Sequence, residues 1–193
     1  MHSTLSFLTT ILAVFAIAFF AMPIQAKVAP APIEDLIRQS QLIVVGKVKS
    51  VSKIERVDFA NVEILQTLKG NSFKNIYYSA ERTWTCDMST AVDGETALFF
   101  FDKYKIEPNL NNANQPPNPF RMPKTDSFKE TVERLISDSE LFRLSFDGRG
   151  RMPIEETISE KKLQISSGVI LPKDLKPELS EIINYTNKVL SSE

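Results

Sequence analysis

Histidine is almost missing from this chain: the sequence has one, His2, nine positions ahead of the apolar run at Ile11 that reads as the core of a removable leader. A mature protein starting after that leader has none. Ser-His-Asp and Cys-His catalysis are then excluded, as is every histidine-ligated metal site, because no other side chain titrates unperturbed near neutrality. Cysteine is equally scarce. With Cys86 alone, no intramolecular disulfide forms, so an exported fold has to be held by its core. Excess charge of one sign is lacking too, since 23 Lys and Arg stand interleaved with 24 Asp and Glu. That balance gives no electrostatic footprint for nucleic acid or an anionic membrane. Past Ala26 no hydrophobic stretch is long enough to cross a bilayer.

What is present begins with export. Ile11 to Met22 is unbroken apolar sequence, shorter than the roughly 20 residues of a membrane-spanning helix and matching the core of a secretory signal. Pro23 breaks the helix and Ala26 supplies a small residue for cleavage, so residues 1–26 are expected to be a signal peptide. Residues 27–193 are then one periplasmic or secreted domain. Met1 to Leu5 carries no Lys or Arg, which leaves a retained membrane anchor as the alternative. No Cys directly follows the apolar run to receive a lipid, so a lipid anchor is not expected.

Hydrophobic periodicity predicts a β-rich body with helices at its margins. Ile33, Leu36 and Ile37 recur at helical spacing over Ile33 to Gln41, with Glu34 and Asp35 in the first turn. Leu42 to Val51 reads as a strand apolar on both faces at its start, and Gly46 marks a bulge or coil point. Phe59 to Leu68 alternates and should pair with it across the sheet. Asn75 to Ala80 is a short strand with Tyr77 and Tyr78 on opposite faces. Glu95 to Tyr104, carrying Ala97-Leu98-Phe99-Phe100-Phe101, is the expected central strand.

The second half is more mixed. Lys105 to Asp126 is an Asn- and Pro-rich loop insertion without strand or helix pattern. Ser127-Phe128-Lys129-Glu130 has capping-box spacing ahead of a helix through Phe128, Val132, Leu135 and Ile136. Glu140 to Phe146 and Arg151 to Ile154 flank Asp147-Gly148-Arg149-Gly150, which predicts a hairpin. A terminal helix is expected from an N-cap at Asp174, with Leu175, Leu179, Ile182, Ile183, Thr186 and Leu190 as its apolar stripe docking on the barrel.

The order of these segments carries a resemblance. A helix, then Leu42-Ile43-Val44-Val45-Gly46-Lys47-Val48, then Val62 to Gly70 ending in Lys69-Gly70, then Cys86 and Gly94-Glu95 ahead of Leu98-Phe99-Phe100 resembles the netrin-type OB-fold domain. That domain belongs to the tissue inhibitors of metalloproteinases and related bacterial exported proteins. The likeness spans Ile33 to Tyr104 and implies a β-rich α+β fold: an OB-like five-stranded β-barrel over about 33–154, the 105–126 insertion included, with flanking helices. A C-terminal extension and helix at 155–193 completes it. The inhibitors chelate their target's zinc through an N-terminal Cys, whereas the mature start here is Lys27, so the inhibitory mechanism does not carry over. Fold likeness alone does not confer function.

Candidate sites are few, and no catalytic, cofactor-binding or metal-ligating residues are assigned. Cys86 lies beside Asp87, which disfavours thiolate, so it reads as a buried, free or intermolecular thiol and not as a nucleophile. Trp84, with Asn112 and Phe120 in the uncharged stretch Asn109 to Phe120, forms a candidate contact surface. Asp87, Asp93, Glu95 and Asp102 match no calcium-loop spacing and read as solvated carboxylates. Tyr77, Tyr78, Trp84 and Tyr104 could offer rings to single-stranded nucleic acid, but the charge balance opposes that partner. Asn184-Tyr185-Thr186 matches a glycosylation sequon inside the expected helix. The expectation is a binding module without enzymatic activity or cofactor, its partner an unidentified protein. The alternatives are a His-free carboxylate hydrolase using Asp87, Asp93, Glu95 or the Arg149 and Arg151 pair, and a membrane-tethered structural protein.

Overall fold

A computed structural model describes residues 30–55, 57–80, 89–104, 126–136, 140–146 and 148–192. Five strands close into a ring: β2 (Leu42–Ile54), β3 (Val57–Lys69), β4 (Asn75–Ser79), β6 (Leu141–Leu144), β5 (Thr96–Lys103) and back to β2. Every contact in the ring is antiparallel except β4 with β6. This is the OB-like barrel. The remaining elements are β1 (Ala31–Pro32), α1 (Ile33–Gln39), α2 (Asp126–Leu135), β7 (Arg151–Glu156), β8 (Lys161–Leu163), β9 (Val169–Ile170) and α3 (Leu179–Leu190).

The apolar run at the start of β2 follows from burial on both faces. Leu42, Val44 and Val48 point into the barrel with Ala97, Phe99, Phe101 and Tyr78, while Ile43 and Val45 face outward with Leu98 and Phe100. That outer layer is covered by Leu36 and Ile37 of α1, Met152 and Leu163, and Ile182 and Val189 of α3. A closed barrel with one wall roofed this way needs continuous hydrophobic strands there and alternation elsewhere. Gly46 sits where the β2–β3 register shifts, and a Cβ there would stand 2.5 Å from Val62 Cγ1. The bulge expected at this glycine is present because the facing strand leaves no room for a side chain.

Helix α1 is short, and its end is closed by a distant residue. Ser40 N–H bonds to Leu36 O, and Lys69 Nζ donates to Ile37 O at 2.9 Å and Arg38 O at 2.7 Å. A lysine at the carbonyl end satisfies acceptors that the helix cannot and favours its dipole. Helix α2 lays Phe128 and Val132 on Val57, Phe59 and Leu141, closing a third core on the outside of the barrel. It begins at Asp126, one residue before the expected cap at Ser127.

Two expectations need correction. Asp147-Gly148-Arg149-Gly150 does not join a hairpin: β6 and β7 both lie antiparallel on the same edge of β5, end to end. The Phe100 N–H bonds to Gly150 O and its carbonyl accepts from Ser145 N–H, while Gly150 N–H closes the neck on Ser145 O. The described residues between Ser145 and Gly150 therefore loop out from a single interrupted fifth strand. The turn residues do turn, but the strands on either side keep one common partner. The second correction is α3, which starts at Leu179 and not at Asp174. Pro177 lends its carbonyl to Leu163 N–H and Glu178 bridges Lys162, which holds the residues just before the helix against β8, while Lys173 and Asp174 form a turn closed by Leu175 N–H on Pro172 O.

Candidate functional site

Most of the barrel interior is side chain. Tyr78 is fully buried, its ring 5.9 Å from Phe99 and 5.5 Å from Phe101, and Phe99 stacks on Phe101 at 5.3 Å. At one end this aromatic column meets charge. Tyr78 donates its hydroxyl hydrogen to Thr90 O, and Arg151 reaches Thr90 Oγ1 at 3.2 Å. Arg151 then grips Glu95 with two parallel bonds, Nε to Oε1 at 2.8 Å and Nη2 to Oε2 at 2.7 Å. Both side chains are 12 to 13% exposed, so this pair is largely dry. Ser166 Oγ donates to Arg151 O, and Ala31 N–H bonds to Gly168 O, which ties the clamp to the extension and the first strand.

The electrostatics match a structural role. Burial disfavours the Arg151 charge, but the Glu95 hydrogen bonds and the Glu95 charge outweigh it and hold the guanidinium above its ordinary range. Burial pushes the Tyr78 phenol well above its usual value, with Arg151 opposing and Glu95 adding. Glu95 spends both carboxylate oxygens on Arg151. The pair is legible only in three dimensions, because 56 residues separate its members.

The structure does not gather the other candidate carboxylates. Asp93 is exposed at its turn, and Asp102 lies 4.0 Å from Arg143 on the far end of β5. Arg149 bonds to Phe146 O and sits over the Phe146 ring at 5.6 Å, so the Arg149 and Arg151 pair serves two separate contacts. Among the described residues no group of His, Cys, Asp and Glu could hold a metal ion. Of the aromatic candidates, Tyr78 is core, while Tyr77 and Tyr104 pack on the α2 side of the wall. Thr186 of the sequon is fully buried and bonded to Ile182 O. Trp84, Cys86, Asp87, Asn112 and Phe120 lie outside the described residues.

One feature of the surface was missed in the strand pattern. β5 accompanies β2 only through Lys47, after which Val48 bonds to Glu95 O and Gly94 N–H. β2 nevertheless continues to Ile54, held on its other edge by β3. Among the described residues nothing pairs with the free edge of Lys49 to Ile54. Strand length could have signalled this: β2 has 13 residues and β5 has eight. No protein family's sequence profile matches the chain, and no curated protein matches it in sequence.

Proposed function

We propose that the mature chain, starting at Lys27, is an exported binding module that works by surface contact with a protein partner. The observation that carries this reading is the clamp of Glu95 by Arg151 at the end of a barrel filled by Tyr78, Phe99 and Phe101. The charged groups nearest the interior neutralise each other, which leaves contact as the role best suited to the described residues. The netrin-type resemblance, which would supply the barrel without the inhibitors' chelating Cys, is consistent with this reading.

The test is to purify the protein from the exported fraction, sequence its N-terminus and map cross-links to any co-purifying protein. The complex is then rebuilt from purified components and its affinity measured by calorimetry. The expected result is a start at Lys27 and a saturable complex of fixed stoichiometry. A start at Met1, or a reproducible hydrolytic turnover lost in a folded Glu95→Gln protein, would overturn the reading.

A further inference from the structure

We infer that the free edge of β2 from Lys49 to Ile54 accepts an extended, acidic segment of the partner protein as an added strand; this rests on the reading of the protein as a contact module. In an antiparallel sheet, alternate residues direct both N–H and C=O to the same edge. Half of the backbone polar groups of Lys49 to Ile54 face β3, and the other half face away from it. β2 runs past the point where β5 closes the ring, so this stretch offers what strand addition uses.

The side chains select the occupant. Lys49 and Lys53 are exposed on the free stretch, whereas Val51 packs into the barrel core and Ile54 toward α2. Lys49 is the extra residue of a bulge, since Val48 faces Val62 and Ser50 faces Asn61. A second copy is a poor occupant: antiparallel pairing of two such edges about Val51 sets Lys49 opposite Lys53 twice. Like charges placed directly across a sheet destabilise it, and edge lysines commonly block self-association. Carboxylates at the same cross-strand positions turn that repulsion into attraction. Lys49 already lies 3.3 Å from Glu63, but both are about half exposed, at 52% and 40%, so that pair is weak enough to be exchanged.

Three measurements decide it. Amide hydrogen exchange on the free mature protein is expected to be faster in Lys49 to Ile54 than in Leu98 to Phe101. Protection throughout Lys49 to Ile54 would mean that the chain covers its own edge, and would overturn the inference. A blocked decapeptide alternating Thr and Glu is expected to bind at least about tenfold tighter at low salt than one alternating Thr and Lys, and to protect the edge amides. Equal binding of both peptides, or binding of neither, overturns it. The folded Lys49→Thr, Lys53→Thr double variant is expected to lose that preference and to sediment as a larger species than the wild type; unchanged preference and size count against the role of the lysines. Cross-links to a genuine partner that fall wholly on another surface would sink this inference while leaving the contact-module reading intact.

Discussion

Arg151 holds Glu95 through two hydrogen bonds of 2.7 and 2.8 Å, joining the first turn of β5's approach to the first residue of β7. Breaking one side leaves a charge stranded in a nearly dry position. Arg151→Met is therefore expected to cost about 3 kcal/mol, and the double variant Arg151→Met, Glu95→Leu much less. Urea unfolding of the two singles and the double closes the cycle. A double variant as unstable as the sum of the singles would show that the two residues act separately.

Gly46 and Gly150 are close-approach glycines. At Gly46 an added Cβ meets a side chain, Val62 Cγ1, whereas at Gly150 it falls against the Phe100 backbone carbonyl. A side chain can yield where a ladder carbonyl cannot. Gly46→Ala is expected to lower stability by about 1 to 3 kcal/mol, and Gly150→Ala by more, read from denaturant midpoints at constant m-value.

The roof over the outer wall should be as important as the barrel interior. Ile182 of α3 is fully buried against the layer formed by Ile43, Val45, Leu98 and Phe100. Ile182→Ala is expected to cost about 2 to 5 kcal/mol, while exposed Ser180→Ala on the same helix stays within about 0.5 kcal/mol. Equal, small effects at both positions would mean that α3 is not a structural part of the domain.

Alkaline titration should report the contact between α1 and α3. Tyr185 donates its hydroxyl hydrogen to Glu34, and burial together with that bond pushes its phenol up to about 12. The folded value is raised above the ordinary 10, so the contribution is fully present below pH 10 and is lost as pH climbs toward about 12. Tyr185→Phe is expected to be less stable below pH 10 and to show a shallower loss across that window. Parallel stability curves for the two proteins would remove this contact from the account.

Much of the barrel could be read locally because periodicity reports burial. Leu42 to Val45 looked apolar on both faces, and the fold confirms a wall packed inside and out. Ala97 to Phe101 was legible as the central strand for the same reason, since β5 has β2 on one edge and β6 and β7 on the other. Pairing was harder. Asp147-Gly148-Arg149-Gly150 signals a turn in any context, but only the shared partner Phe100 decides that it interrupts one strand instead of joining two. Pro177 was compatible with a helix start, yet its carbonyl is claimed by Leu163, and α3 begins two residues later.

The amino-acid sequence alone determined which faces are water-averse, the order of the strands, and a chemistry without histidine beyond His2 or a second cysteine. These are properties of composition and short spacing, which act through local geometry and burial. Tertiary structure decided that Arg151 closes on Glu95, that Lys69 ends α1, and that β2 outruns β5 to leave an edge with two lysines. Each of these joins residues far apart in the chain, and such contacts are selected by the packing of the whole domain, where the entropy lost in bringing them together is recovered by the shared core.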